Sequence, residues 1–143
     1  MRSTMIIFEL NNETRLPVRR GILTAVAKAA AHELRLRNAQ IISLAVVADK
    51  RMIQLNRRYR HKGLTDVLSF RHGKEAGEGV FGEIIVAYPY MKKMALAAGL
   101  TVQQELIFLL VHGLLHIWGY DHEHDKDAAE MFQMERQIIN RLV

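Results

Sequence analysis

The chain has no cysteine, and that one absence removes thiolate metal sites, disulfide frameworks and cysteine nucleophiles together. Any metal must be held by nitrogen or oxygen, and a reducing compartment suits such a chain. A long apolar run is missing too. The longest, Leu106 to Leu115, is interrupted by His112 and is well short of the ~20 residues of a membrane span. The N-terminal run through Met5, Ile6, Ile7 and Phe8 is too short for a signal peptide. A cytoplasmic location with no membrane partner is therefore expected. Internal repeats, low-complexity tracts and linkers are also lacking, so residues 1–143 are expected to form one domain, long enough to bury a core without cross-links.

Acids are scarce in one half of the chain. Residues 1–74 hold 15 Lys/Arg against 5 Asp/Glu, a net +10, whereas residues 75–143 hold 5 against 10, a net −5. Six cations lie between Lys50 and Lys62 with no acid among them. This asymmetry suggests a polyanionic partner, although a basic balance by itself is common among soluble proteins.

Apolar periodicity predicts four strands and at least four helices. A short run at 4–10 reads as a first strand, followed by a turn through Asn11 to Thr14. From Pro17, suited to a first turn, Val18, Ile22, Val26, Ala29, Ala30 and Leu34 recur at helical spacing as far as Arg37–Asn38. The arginines at 19, 20, 35 and 37 form that helix's solvated face. The run from Ile41 to Ala48 predicts a central strand buried on both faces, and Asp49 is placed to cap a helix reaching Tyr59. Residues 65–70 and 80–88 read as antiparallel neighbours across a glycine-rich loop, with Gly82 a bulge candidate. Pro89 opens a short helix that Gly99 ends in the left-handed region. Thr101 and Gln104 form a Thr-x-x-Gln capping box for a helix running to Trp118, and Asp125 or Asp127 caps the last helix.

Against this background His112, His116 and His122 stand out, at spacings of four and six in an otherwise apolar segment. Helix positions four apart lie one above the other with Cβ atoms ~6 Å apart, so two imidazoles can converge on one ion at ~2.0–2.1 Å. Gly119 can end the helix with positive φ and return His122 as a third ligand. Three neutral nitrogens and one open position describe catalytic zinc sites; nickel, cobalt or copper also accept nitrogen donors. The spacing matches the metzincin protease pattern H-E-x-x-H-x-x-G-x-x-H except that Gly113 occupies the general-base position. A peptidase reading therefore lacks the group that takes a proton from metal-bound water.

The segment His112-Gly113-Leu-Leu-His116-Ile-Trp-Gly119-Tyr120-Asp121-His122-Glu123, with Asn56-Arg-Arg-Tyr59-Arg60 and Thr65-Asp66-Val67-Leu68-Ser69-Phe70 upstream and Met131 and Glu135 downstream, resembles the YbeY family of bacterial metal-dependent endoribonucleases. The resemblance spans residues 41–143. It implies an α+β fold in which about five helices surround a central four-stranded mixed sheet, with the metal site on the helix and turn at 102–122. It further implies that His112, His116 and His122 bind the metal, usually zinc, and that Arg60 and His112 are catalytic, with Arg60 in the cleft facing the ion. The implied activity is single-strand-specific RNA cleavage in small-subunit ribosomal RNA 3′-end maturation and ribosome quality control. The implied partners are ribosomal RNA and ribosomal subunits or their proteins, without DNA. Two departures stand against the family pattern: Lys62-Gly63-Leu64-Thr65-Asp66-Val67 is one residue shorter and lacks a proline, and Gly82-Glu83 replaces Gly-Asp.

A non-enzymatic, ribosome-associated factor with a structural metal is the competing class, followed by a zinc protease. Lys50, Arg51, Arg57, Arg58 and Lys62 are phosphate contacts or solvated charge. Trp118 and Tyr120 can stack on bases or belong to the core. Asp121 and Glu123 are outer-shell acceptors for the imidazoles or a polar turn, and His32, His61, His72 and His124 are bystanders.

Overall fold

Four runs of β-branched and apolar residues pair into one sheet. These are β1 (Ile6–Asn12), β2 (Gln40–Val47), β3 (Val67–Arg71) and β4 (Val80–Ala87), in the order β1-β2-β4-β3. β1 and β4 both pair parallel with β2, and β3 pairs antiparallel with β4, so the sheet is mixed and the fold α+β, as expected. Among the described residues five helices complete it: α1 (Arg20–Glu33), α2 (Asp49–Arg58), α3 (Tyr90–Ala97), α4 (Val102–Ile117) and α5 (Asp125–Asn140). The computed structural model describes residues 5–58, 65–72 and 79–142. Among these, no single helix is long and apolar enough to cross a bilayer.

The larger core joins α1, α3, α4 and α5 to one sheet face through Ile42, Leu44, Val46, Ile84 and Val86. A smaller cluster, Val47, Met52, Leu55, Leu68, Ile85 and Ala87, seats α2 on the other. β2 is an inner strand, but Ile41 and Ser43 are only half-buried. Coverage of both its faces therefore holds towards its C-terminal end.

Several local expectations change. α1 starts at Arg20, after Pro17, because a side-chain network holds residues 12–16 in an irregular turn. Asn12 Oδ1 accepts from the Thr14 backbone N–H and hydroxyl, and Thr14 Oγ1 accepts from the Leu16 N–H. The same helix stops at Glu33. Arg35 takes φ 55° and the Leu36 N–H reaches back to the Ala31 carbonyl, a Schellman ending without glycine. Asp49 does not cap its own helix; its Oδ1 accepts from the Tyr90 N–H at 3.0 Å, tying the start of α2 to the start of α3. Neither Asp125 nor Asp127 caps α5. His124 is the N-cap residue, without a side-chain cap bond, and both aspartates sit in the first turn, where they complement the helix dipole. In β4 the register with β2 jumps from Val80 to Gly82, so the bulge residue, without a partner on β2, is Phe81, directly before the expected glycine.

α4 is the element that carries the histidines, and its seat on β4 is unusually close. A Cβ on Gly113 would stand 3.0 Å from Ile84 Cδ1, and a Cβ on Gly82 would stand 2.8 Å from two carbons of Ile117. Each element thus presents a glycine to an isoleucine of the other.

Candidate metal centre

α4 buries Leu106, Leu110, Leu114 and Ile117 and turns Gln104, Phe108, His112 and His116 towards exposed or half-buried surroundings. Each buried aliphatic side chain contributes ~1.5–3 kcal/mol, so the core fixes the rotation of the helix and hence the direction of both histidines. The expected capping box is present: Thr101 Oγ1 accepts from the Gln104 N–H and Gln104 Oε1 from the Thr101 N–H.

At the other end Gly119 has φ 96°, and the Tyr120 N–H donates to the Leu115 carbonyl at 2.9 Å while the Gly119 N–H donates to the His116 carbonyl. This Schellman turn has a second effect. It brings the Tyr120 carbonyl oxygen to 2.9 Å from His116 Nδ1. The chain then returns His122, whose ring centroid lies 5.3 Å from that of His116 and 5.8 Å from that of His112. One ligand nitrogen from each of the three falls within 4.8 Å of the others, and among the described residues no fourth histidine, aspartate or glutamate joins the cluster. Ligand atoms of a tetrahedral zinc stand about 3.3 Å apart at these bond lengths. His112 and His116 already approach that spacing, with their Nε2 atoms 3.0 Å apart, and the exposed His122 offers a nitrogen within 4.8 Å of theirs.

The proton inventory calls for a cation. A backbone carbonyl only accepts, so the Tyr120 oxygen assigns the proton of His116 to Nδ1. The Glu135 carboxylate, 3.3 Å from His112 Nδ1, assigns the His112 proton in the same way. With those tautomers the two Nε2 atoms face each other across 3.0 Å, an arrangement in which both could donate to one cation. Burial first, and then the neighbouring His112, lower the pKa of His116 below the usual histidine value, which keeps it in the neutral form that metal binding requires. The donor set fits a divalent metal of the zinc type.

Of the two readings of Asp121 and Glu123, the structure shows the polar turn. Asp121 Oδ1 accepts from the Glu123 N–H, closing a polar turn, and the imidazoles are oriented by Glu135 and the Tyr120 carbonyl. Glu135 lies on the α5 stripe between buried Met131 and Ile138; a carboxylate on such a stripe is the one sequence signal from which a partner could be inferred. Glu135→Ala is expected to weaken zinc binding 10–100-fold, the usual cost of losing an outer-shell carboxylate, with the fold intact. Competitive metal titration measures it, and unchanged affinity would reject the assignment.

Trp118 is half-buried and packs its ring on Phe81, with centroids 5.0 Å apart. His72 Nε2 lies 3.1 Å from Glu83 Oε1, so the Gly82-Glu83 departure places its acid in a pair on the strand. Lys50, Arg51, Arg57 and Arg58 are exposed on α2. Arg60 lies outside the described residues, as do His61 and Lys62.

Residues 9–143 match the family model described as Endoribonuclease YbeY. The chain is 36% identical to the Endoribonuclease YbeY of Sulfurihydrogenibium sp. over 129 residues, covering 87% of this chain and 84% of the relative. It is 32% identical to that of Renibacterium salmoninarum over 140 residues, covering 92% and 89%. The solution structure of TM1509 from Thermotoga maritima superposes with a TM-score of 0.64 at 27% identity, covering 96% of this chain and 88% of that one.

Proposed function

The chain belongs to the Endoribonuclease YbeY family, and from that premise we propose that it is a zinc-dependent endoribonuclease. It cuts single-stranded RNA in the cytoplasm, in small-subunit ribosomal RNA 3′-end maturation and ribosome quality control. The observation that carries this reading is the His112/His116/His122 cluster, which lacks a fourth ligand among the described residues. Three protein ligands leave room for a substrate oxygen, whereas structural zinc sites are closed by four. That favours an enzyme over a factor with a structural ion.

A zinc ion bound there supplies Lewis-acid charge for a phosphate oxygen and lowers the pKa of bound water towards ~7. The chain's own groups prepare the site for it. Glu135 and the Tyr120 carbonyl hold protons on the Nδ1 atoms, so both Nε2 atoms are available as donors. The His112–Glu135 pair is thereby a positioning device as well as a ligand. Arg60 is assigned to the scissile phosphate, where a planar donor fork neutralises developing charge in a way a lysine does not reproduce. The exposed cations of α2 attract the RNA backbone, with the salt dependence such contacts carry.

The test uses purified protein on single-stranded and duplex RNA, with and without chelator. Cleavage of the single strand alone, lost on chelation and restored by zinc, is expected. Arg60→Ala should lower turnover by about 100-fold or more, the scale of losing one charge-stabilising donor, while retaining zinc. Cleavage that survives complete metal removal would overturn the proposal, and unchanged turnover in Arg60→Ala would remove that residue from it.

A further inference from the structure

The two edges of the sheet differ. β3 is 5 residues long and ends in Arg71, whereas β1 is 7 residues long with Glu9 as its one charge. Brevity and charge are what ordinarily keep an open edge from pairing, and β1 has little of either. Among the described residues no strand lies beyond it. Its backbone is aimed at that open side. The Met5 carbonyl accepts from the Gln40 N–H at 2.7 Å, the Glu13 N–H donates to the Val46 carbonyl at 2.8 Å, and the register between them is unbroken. Successive residues of a parallel pair turn their N–H and C=O to alternate sides, so Phe8 and Leu10 turn theirs away from β2. Beside this edge, between β1 and α1, lies a groove of about 640 Å³ lined by Phe8, Leu10, Val18, Leu23 and Arg20. Leu10 is 41% exposed within it. Arg20 is exposed at the start of α1, whose first turn holds no acid and adds the positive end of the helix dipole.

We propose that this groove takes an extended, acidic segment of a partner protein as a fifth strand on β1. Donors and acceptors alternate along an open strand edge, and another peptide backbone satisfies both. An RNA phosphate would satisfy the N–H groups and leave the carbonyls facing its charge. Main-chain bonds then supply affinity and the groove supplies selectivity. Alternate side chains of the added strand point towards α1, where Leu10, Val18 and Leu23 ask for apolar groups and Arg20 for a carboxylate. A second copy of β1 matches this poorly. In a continuous sheet its single acid, Glu9, falls on the face opposite Phe8 and Leu10 and away from Arg20. No residue lining the groove belongs to the histidine cluster, so the proposal goes beyond the endoribonuclease reading and stands without it.

Phage-displayed random peptides of about ten residues, selected on the immobilised full chain, provide the probe. Enriched sequences should alternate apolar residues and carry aspartate or glutamate. The tightest of them, made synthetically, should slow amide hydrogen exchange at Phe8 and Leu10. Leu10→Pro removes an outward N–H while sparing the ladder to β2, and Arg20→Glu reverses the charge of the groove at an exposed position. Both variants should melt as wild type does and bind the peptide about tenfold more weakly. Replacing the acids of the peptide by lysine should invert the preference, so that Arg20→Glu binds it more tightly than wild type. Should Leu10→Pro fail to fold, the exchange rates and Arg20→Glu still decide. No enrichment, enriched peptides without acids, or unchanged exchange at Phe8 and Leu10 would overturn the proposal. The same two amides protected by a single-stranded oligonucleotide, or by raising protein concentration alone, would assign the edge to RNA or to a second copy and equally overturn it.

Discussion

His116→Ala is expected to abolish zinc binding and RNA cleavage together while leaving the sheet folded. Zinc held by a full ligand set contributes roughly 10–16 kcal/mol, so losing one of three protein donors costs about 3 kcal/mol or more, over a hundredfold in affinity. His112 and His122 alone form a pair whose ring centroids are 5.8 Å apart, without the 3.0 Å Nε2 spacing that makes His112 and His116 a chelate. The same residue sets the response to acid. Its pKa is depressed in the folded state by burial and by His112, so below the unfolded value of about 6.5 the unfolded chain binds the proton more readily. The stability this histidine contributes is present above that value and lost as pH falls through the lower, folded one. Metal-free protein should therefore lose thermal stability on acidification from about pH 6.5 downwards, and His116→Ala should flatten that limb. Zinc titration with melting curves across pH reads both effects. A variant that keeps stoichiometric zinc, or an acid limb of unchanged slope, would refute the role given to this side chain.

Gly113→Glu, which completes the protease pattern on paper, is expected to prevent folding and to create no peptidase. A Cβ there meets Ile84 Cδ1 at 3.0 Å and Cγ1 at 3.1 Å, and Ile84 is fully buried, with little freedom to retreat. Overpacking of this kind costs about 1–3 kcal/mol already for alanine. A carboxylate forced between helix and sheet adds the cost of burying an unpaired polar group. The sum competes with the whole stability of a domain, about 5–15 kcal/mol. Gly113→Ala is the foldable control: its melting temperature should drop, and Ile84→Val, which removes the nearest methyl group, should make the same glycine change less costly. Gly113→Glu that melts like the wild type, or that cleaves casein, would contradict this account. Glycine at this position thus has a packing cause that is independent of which reaction the ion supports.

The parts legible in the sequence are those whose physics is local. The Thr101–Gln104 box, the left-handed Gly99 and Gly119, the period of α4 and the convergence of His112 with His116 all depend on residues within a turn or two of each other. They appear as expected. Antiparallel pairing of β3 with β4 followed from a short connection. What escaped notice lies across long separations. The His112–Glu135 contact joins residues 23 apart, and Asp49 reaches Tyr90 across 41. Periodicity finds a helix face but not what stands opposite it, so it gives Glu135 no partner and makes Asp49 the cap of its own helix. The end of α1 departs from its apolar period for a different reason. Apolar spacing continues through Leu34 and Leu36, but Arg35 adopts a left-handed conformation that residues other than glycine enter rarely, and nothing in composition announces it.

The locality of the histidine cluster bears on how an ion comes and goes. All three ligands fall within eleven residues, and a cross-link that closes so short a loop withdraws little freedom from the unfolded chain. The strands, by contrast, join residues as distant as Ile42 and Gly82, and His112 and His116 are half-buried and His122 exposed. The strand pairing and the two cores that hold the scaffold do not draw on the three histidines. An ion held there would exchange with the surrounding metal pool, and since nitrogen donors discriminate weakly among late divalent metals, the supply of each metal, more than the fold, would decide which one the site takes.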